Sequence, residues 1–276
     1  MPAVPDERHR SLLAELRDVL HDDPFVVLDV DPATIERVVS APGEAAAWLS
    51  AHPVRGVRWL TALALDPDSR TDIAAAVGAA VRLAGLVAEE LGPVSGITVS
   101  RGGLELLPEP LRPVRHWEWD YWFTRREPDP HEARSAYGDD LEVVDLAPDD
   151  PRLGPLLDLA SPDAPLRPGD ARVTRWAGVE DPEGGLPDTG GLAALLAVTT
   201  HRSGAAHLND VATHPQRRGR RIARALCGRV TTDALRAGSP AVTLGMYAEN
   251  DAARRVYDAL GFTCVRGQSS GPLARD

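Results

Sequence analysis

The sequence predicts an α/β protein, a mixed and mostly antiparallel sheet covered by helices. Three observations predict it. The chain has 276 residues and is 43% hydrophobic, enough to bury a core. Short strand-like apolar runs alternate with longer helical patterns along its whole length. The last part sets antiparallel strands ahead of a strand–helix–strand unit, the order that gives a mixed sheet under helices.

The elements read as follows. Ser11 to Leu20 is a helix with Leu12, Leu13, Leu16 and Leu20 on one side, and "PFVVLDV" at Pro24–Val30 is a short strand. Asp31-Pro32 opens a helix to Val39, and a second helix lies around Glu44–Leu49. "VRWLTALAL", Val57–Leu65, is a strand. Thr71 to Leu91 is a long alanine-rich helix that Gly92-Pro93 ends. "GITVS" and "HWEWDYWF" are further strands. The charged, proline-rich stretch Thr124 to Asp140 is the best linker, dividing an N-terminal α/β domain, residues 1–130, from a second domain, residues 141–276.

Beyond the linker come strand Leu141–Leu146, a helix near Leu153–Leu159 and strand Arg172–Glu180. Strands Leu192–Thr200 and Ala206–Thr213 precede a long helix, Arg217–Ala237. Strand Ala241–Tyr247, helix Ala252–Leu260 and strand Phe262–Val265 complete the order. "LALDPDSRTDIAAAVGAAV" echoes "NDVATHPQRRGRRIARALC" in layout, so the smaller N-terminal part can be read as a degenerate copy of the second or as a common strand–turn–helix arrangement.

Composition removes several functions. The net charge of -11 argues against a general nucleic-acid binder, because neutralising phosphates needs a basic surface. All 30 basic residues are arginine, so lysine cannot serve as Schiff base, catalytic base or phosphate-loop cation. Cys227 and Cys264 lack metal spacing, and no metal site is expected. The N-terminus has no apolar signal core and no segment approaches about eighteen unbroken apolar residues, which predicts a cytoplasmic protein with no membrane partner.

The chemistry concentrates in "HPQRRGRRIARAL", His214 to Leu226. A helix N-terminus has backbone N–H groups without partners and a partial positive charge. Gly219 removes the Cβ that would keep a phosphate from such a turn, and Arg217, Arg218, Arg220 and Arg221 surround it. Gln216–Ala223 is therefore a pyrophosphate cradle candidate; the bland alternative is an arginine-rich, solvated helix start. Downstream, Leu244 to Val265 carries a strand, Asn250, a helix, Tyr257 and a Gly261-Phe262 ending.

Together the two stretches resemble the GNAT superfamily of acyl-CoA-dependent N-acyltransferases, whose phosphate signature is (Gln/Arg)-x-x-Gly-x-(Gly/Ala). Gln216 and Gly219 match it, and Arg221 replaces its second small residue. Arginine there is expected to hold helical dihedrals with its side chain swung outward. The resemblance implies a GNAT-like fold and acetyl-CoA, or another acyl-CoA, as the cofactor. It implies that Val211, Ala212 and Thr213 align the pantetheine arm and that Gln216, Arg217, Arg218, Gly219, Arg220, Arg221, Ile222 and Ala223 take the pyrophosphate. Asn250 would bond the cofactor arm, or simply cap its helix, and Tyr257 would act as general acid, or simply pack under the sheet. The implied reaction is direct transfer of an acetyl or short acyl group to a primary amine on a small molecule. The rival is a non-catalytic acyl-CoA-binding or regulatory protein. A homodimer is left open.

The general base stays undecided among Glu118, Asp120, Asp210, Glu249 and a water chain. In "HWEWDYWF" alternation puts Trp117, Trp119, Tyr121 and Phe123 on one face, either as core or as an aromatic wall for a cationic acceptor.

Overall fold

The computed structural model describes residues 5–51, 57–88, 94–138 and 141–274. The first half of the chain holds α1 (Glu7–Val19), α2 (Pro24–Leu28), β1 (Ile35–Ala41), β2 (Ala45–Ala51), β3 (Arg58–Ala64), α3 (Arg70–Ala88), β4 (Gly96–Ser100) and β5 (Trp117–Thr124). The second holds β6 (Val143–Leu146), α4 (Leu153–Ala160), β7 (Val173–Glu180), β8 (Leu192–Thr200) and β9 (Ala206–Thr213). It continues with α5 (Ile222–Arg236), β10 (Val242–Tyr247), α6 (Asp251–Ala259) and β11 (Thr263–Pro272). Strands and helices thus form the expected α/β fold with a mostly antiparallel sheet. Two compact units emerge: Met1–Tyr121 with Met246–Glu249 and Cys264–Asp276, and Trp122–Gly245 with Asn250–Thr263.

In the first unit, β1, β2 and β3 are antiparallel, β4 runs parallel to β3 after the α3 crossover, and β11 adds antiparallel to β4. One face packs Leu49, Leu60 and Ile97 under Ala76, Ala80 and Leu83 of α3. The other gathers Leu16, Phe25, Trp48 and Tyr121. In the second unit, β6 to β9 are successively antiparallel and β10 runs parallel to β9 after the α5 crossover. Leu153, Leu156, Trp176, Leu195 and Ala212 form a core between α4 and the sheet. The echo in the sequence is therefore a shared path: antiparallel strands, then one parallel step through a long helix.

Several elements differ from expectation. Pro24–Val30 is not a strand but begins with α2, because Asp23 accepts the Phe25 and Val26 N–H groups and Pro24 suits the first helical turn. The helix expected from Asp31-Pro32 is one 3-10 turn, Pro32–Thr34, before β1, where Ile35, Val38 and Val39 favour a strand. The helix around Glu44–Leu49 is β2. Its alanines are buried on both faces, and tertiary packing overrides their helical preference. α5 starts at Ile222 rather than Arg217, since left-handed residues precede it. β11 runs on to Pro272. Its glycines are close-approach positions: a Cβ on Gly271 would lie 2.0 Å from the Arg115 carbonyl oxygen. The end of the α3 pattern, 89–91, and its Gly92-Pro93 stop lie outside the described residues. α3 is long and apolar enough to cross a membrane, but its apolar side packs on the first unit's sheet.

Candidate functional site: an open strand edge leading to an uncapped helix

β9 carries a β-bulge. The pairs Leu195↔Ala212 and Ala197↔Asn209 leave Asp210 and Val211 opposite Leu196 alone, and Asp210 adopts a left-handed φ of 50°. The Asp210 carboxylate accepts the Leu166 N–H at 3.0 Å. Burial raises its pKa, against the pull of that bond and of Arg167 and Arg172. Beyond the bulge, the His214 N–H bonds the Ala193 carbonyl across β8 at 2.8 Å. Alternation then turns the Val211 and Thr213 amides to the opposite edge, while Ala212 packs in the core.

That opposite edge is open. The β9–β10 register spans Ala206↔Val242 to Leu208↔Leu244, yet β9 continues to Thr213 and β10 to Tyr247. The Thr213 hydroxyl is buried and has no hydrogen-bond partner among the described residues.

The turn follows directly. His214 caps a 3-10 turn, Pro215–Arg217: its Nδ1 accepts the Gln216 N–H at 3.2 Å, leaving Nε2 to donate to Asp188 at 3.1 Å. Gly219 and Arg221 are both left-handed, with φ of 77° and 58°. A Cβ on Gly219 would meet nothing within 4 Å, so glycine is needed for its backbone and leaves open space before the helix. Arg221 is the N-cap of α5 and supplies no side-chain cap. Among the described residues, none of the backbone N–H groups from Gly219 through Arg224 donates to a protein acceptor; Ala225 is the first that does, to Arg221. A run of unpaired amides at a helix N-terminus is an anion cradle.

The equivalent turn of the first unit is closed. The Asp72 carboxylate accepts the Asp66 N–H, the Ser69 hydroxyl accepts the Asp72 N–H, and Ser100 Oγ accepts the Ala64 N–H at the end of β3.

The four arginines sort into two pairs. Arg217 turns away and makes a bidentate pair with Asp181, Nε–Oδ1 2.6 Å and Nη2–Oδ2 2.8 Å, the side chains being 9% and 1% exposed. It also donates to the Gly184 carbonyl at 2.9 Å. Its side chain is thus committed to Asp181 and braces the turn. Arg220 pairs with Glu183 at 2.7 Å. Arg218 is exposed and reaches only carbonyls, Thr213 at 3.3 Å and Ala160 at 3.5 Å, and Arg221 is exposed with no carboxylate partner among the described residues. The helical dihedrals expected for Arg221 are corrected, and its left-handed φ explains why a small residue suits this position. Gln216 is exposed, Ile222 is buried as the first anchor of α5, and Ala223 is half-buried.

On α6, Asn250 is the N-cap, its Oδ1 accepting the Ala253 N–H at 3.0 Å. Gly261, left-handed at φ 75°, closes the other end, and the Phe262 N–H bonds the Tyr257 carbonyl at 3.0 Å. Tyr257 is buried, its ring 5.7 Å from that of Phe262. Burial, with a lesser contribution from Cys227, pushes its pKa well above the usual value, so the phenol keeps its proton. Burial alone pushes the Cys227 thiol up to about 12.

Of the base candidates, Glu118 and Asp120 are counter-ions of Arg101, at 3.0 and 2.6 Å. Glu249 is exposed. Trp119 and Tyr121 pack with the first unit's aromatic cluster, whereas Trp117 is exposed. Asp181, Glu183 and Tyr137 were not expected at the turn; nothing local in the sequence links them to Gly219.

With this geometry in view, residues 156–262 match the acetyltransferase (GNAT) family model. The matched stretch holds the bulged strand, the turn, α5 and α6. Solved structures agree on the fold: a GCN5-related N-acetyltransferase from Sphaerobacter thermophilus is 17% identical, covering 100% of this chain and 94% of its own, with a TM-score of 0.56. A GCN5-related N-acetyltransferase-like protein from Streptococcus suis is 11% identical over 96% of this chain and 99% of its own, with a TM-score of 0.52. No curated protein sequence matches.

Proposed function

We propose that the second unit transfers an acetyl or short acyl group from acyl-CoA to a primary amine by direct transfer. The observation that carries this reading is the run of unbonded amides from Gly219 through Arg224 at the end of an open-edged strand. This arrangement fits the cofactor: the amides and the dipole of α5 suit its pyrophosphate, with Arg218 and Arg221 as nearby cations. The outward amides of Val211 and Thr213 suit the amide groups of its arm, as an added strand would pair. Acyl-CoA supplies the acyl group activated as a thioester.

Tyr257 holds a proton on Oη, available to a leaving thiolate. Asn250 has Oδ1 committed to its helix, which leaves its Nδ2 donors for the cofactor arm. Among the carboxylates weighed as base, Asp210 is the one whose environment favours a raised pKa.

The capture of Glu118 and Asp120 by Arg101 favours one second reading, a non-catalytic acyl-CoA-binding protein. Thioester turnover against a broad panel of amines separates the two. The binding site itself is tested by Gly219→Glu, which puts bulk and negative charge into the cradle. Calorimetry with acetyl-CoA is expected to show at least about a tenfold loss, about 1.4 kcal/mol. Wild-type affinity in a folded variant overturns the site.

A further inference from the structure

The segment that reads as a linker is bonded to the phosphate turn. The Ala136 N–H donates to the Arg220 carbonyl at 2.9 Å, and Glu132 pairs with Arg224 at 3.3 Å. Tyr137 Oη donates to Glu183 Oε1 at 2.5 Å, and the Arg220 guanidinium lies 5.8 Å from the centre of the Tyr137 ring. The same carboxylate oxygen lies 2.7 Å from Arg220 Nη1 as an ion pair, and Glu183 Oε2 stands 3.7 Å from Arg217.

Two ion pairs on one loop thus differ in kind. Arg217–Asp181 is buried and bidentate, a fixed brace. Arg220–Glu183 is an ion pair with no bidentate hydrogen bonding, its side chains 45% and 37% exposed. Exposed pairs of that kind break cheaply.

We propose that Glu183 is an internal counter-anion which Arg220 exchanges for a phosphate group of CoA, with Tyr137 retaining the carboxylate. Glu183 and Tyr137 are then affinity-determining residues for the cofactor. The inference rests on the reading that the turn binds CoA. Glu183 accepts from Tyr137 and forms an ion pair with Arg220. When Arg220 swings to a phosphate, Glu183 keeps the phenolic donor and is not left as an unpartnered charge. No bond is made or broken; one cation changes partner.

The test is calorimetric titration of CoA into the full chain, as wild type and as E183Q, Y137F, R220Q and the E183Q/R220Q pair. E183Q is expected to tighten CoA binding about two- to fivefold, the worth of one exposed ion pair released. Y137F is expected to weaken it, because the carboxylate then has no side-chain hydrogen-bond donor when Arg220 leaves and keeps only the 3.7 Å approach to Arg217. A mere loosening of the turn would weaken binding in both variants, so opposite signs mark the exchange. In the R220Q background E183Q is expected to change nothing, since no exchange remains. Equal tightening in both backgrounds, or an E183Q that weakens binding or leaves it unchanged, overturns the proposal. If Gly219→Glu still abolishes binding in that case, the CoA site stands without the exchange. A wild-type chain that takes up no CoA sinks both.

Discussion

Replacing Arg221 by glycine tests the backbone reading of the turn before α5. Arg221 sits at φ 58°, ψ 21°, with no cap bond from its side chain. A left-handed conformation costs a residue with a Cβ about 1–2 kcal/mol. Glycine removes that cost but gives back about 0.4–1 kcal/mol through the freer unfolded chain. Arg221→Gly is therefore expected to stabilise by about 0.5–1 kcal/mol, a rise of about 1–4 °C in the melting transition of a unit this size. Arg221→Ala keeps the Cβ and the strained φ, so its stability stays within about 0.5 kcal/mol of wild type. Differential scanning calorimetry on the three proteins reads both. An alanine variant as stabilised as the glycine variant would place the cost in the side chain. A destabilised glycine variant would show that the arginine holds the turn together, and either result refutes the reasoning.

Tyr257→Phe keeps the buried ring and removes its proton; turnover is expected to fall by about 10²–10⁴-fold with acetyl-CoA affinity unchanged, and wild-type turnover with chemistry limiting would remove Tyr257 from the mechanism. Because burial raises the Tyr257 pKa, the acid stays protonated until pH rises well past 10, so no loss of activity assignable to this group is expected on the alkaline side below that point, as a pH–rate profile will show. Asp181 has the opposite sign. Burial pushes it up, but its bonds to Arg217 and the Glu183 N–H outweigh that and leave its folded pKa lowered. Its stabilising contribution is full above its ordinary value and fades as pH falls through the lowered one. Asp181→Asn leaves Arg217 without its anion, and both the melting temperature and CoA affinity are expected to fall; an unchanged melting temperature would mean the pair is not a brace.

What could be read from the chain was local. Gly219 before an apolar helix, Asn250 at a cap and Gly261-Phe262 at a helix end are adjacent residues whose chemistry needs no distant partner. The division of the four arginines was not legible, because Asp181 and Glu183 lie in another loop and select Arg217 and Arg220 by position in space. β1 was misread because Asp31-Pro32 reads as a helix start, and β2 because its alanines suit a helix until neighbouring strands claim them. β11 was read short because Gly267 and Gly271 resemble chain breakers, whereas the structure uses them to admit Arg101 and the Arg115 carbonyl.

The placement of β11 also bears on how the protein is made. The first unit's sheet pairs β4 with a strand from the far end of the chain, Gln268↔Ser100 through Pro272↔Gly96. About 160 residues of chain separate the two, so at a synthesis rate of about 5–20 residues per second β4 waits on the order of ten seconds for its partner. Throughout that interval a buried-type strand, Gly96–Ser100, stands as a bare edge outside the ribosome. Nascent chains halted before Cys264 are therefore expected to be the most aggregation-prone species this protein passes through, and a chaperone that shields strand edges should matter most to it then.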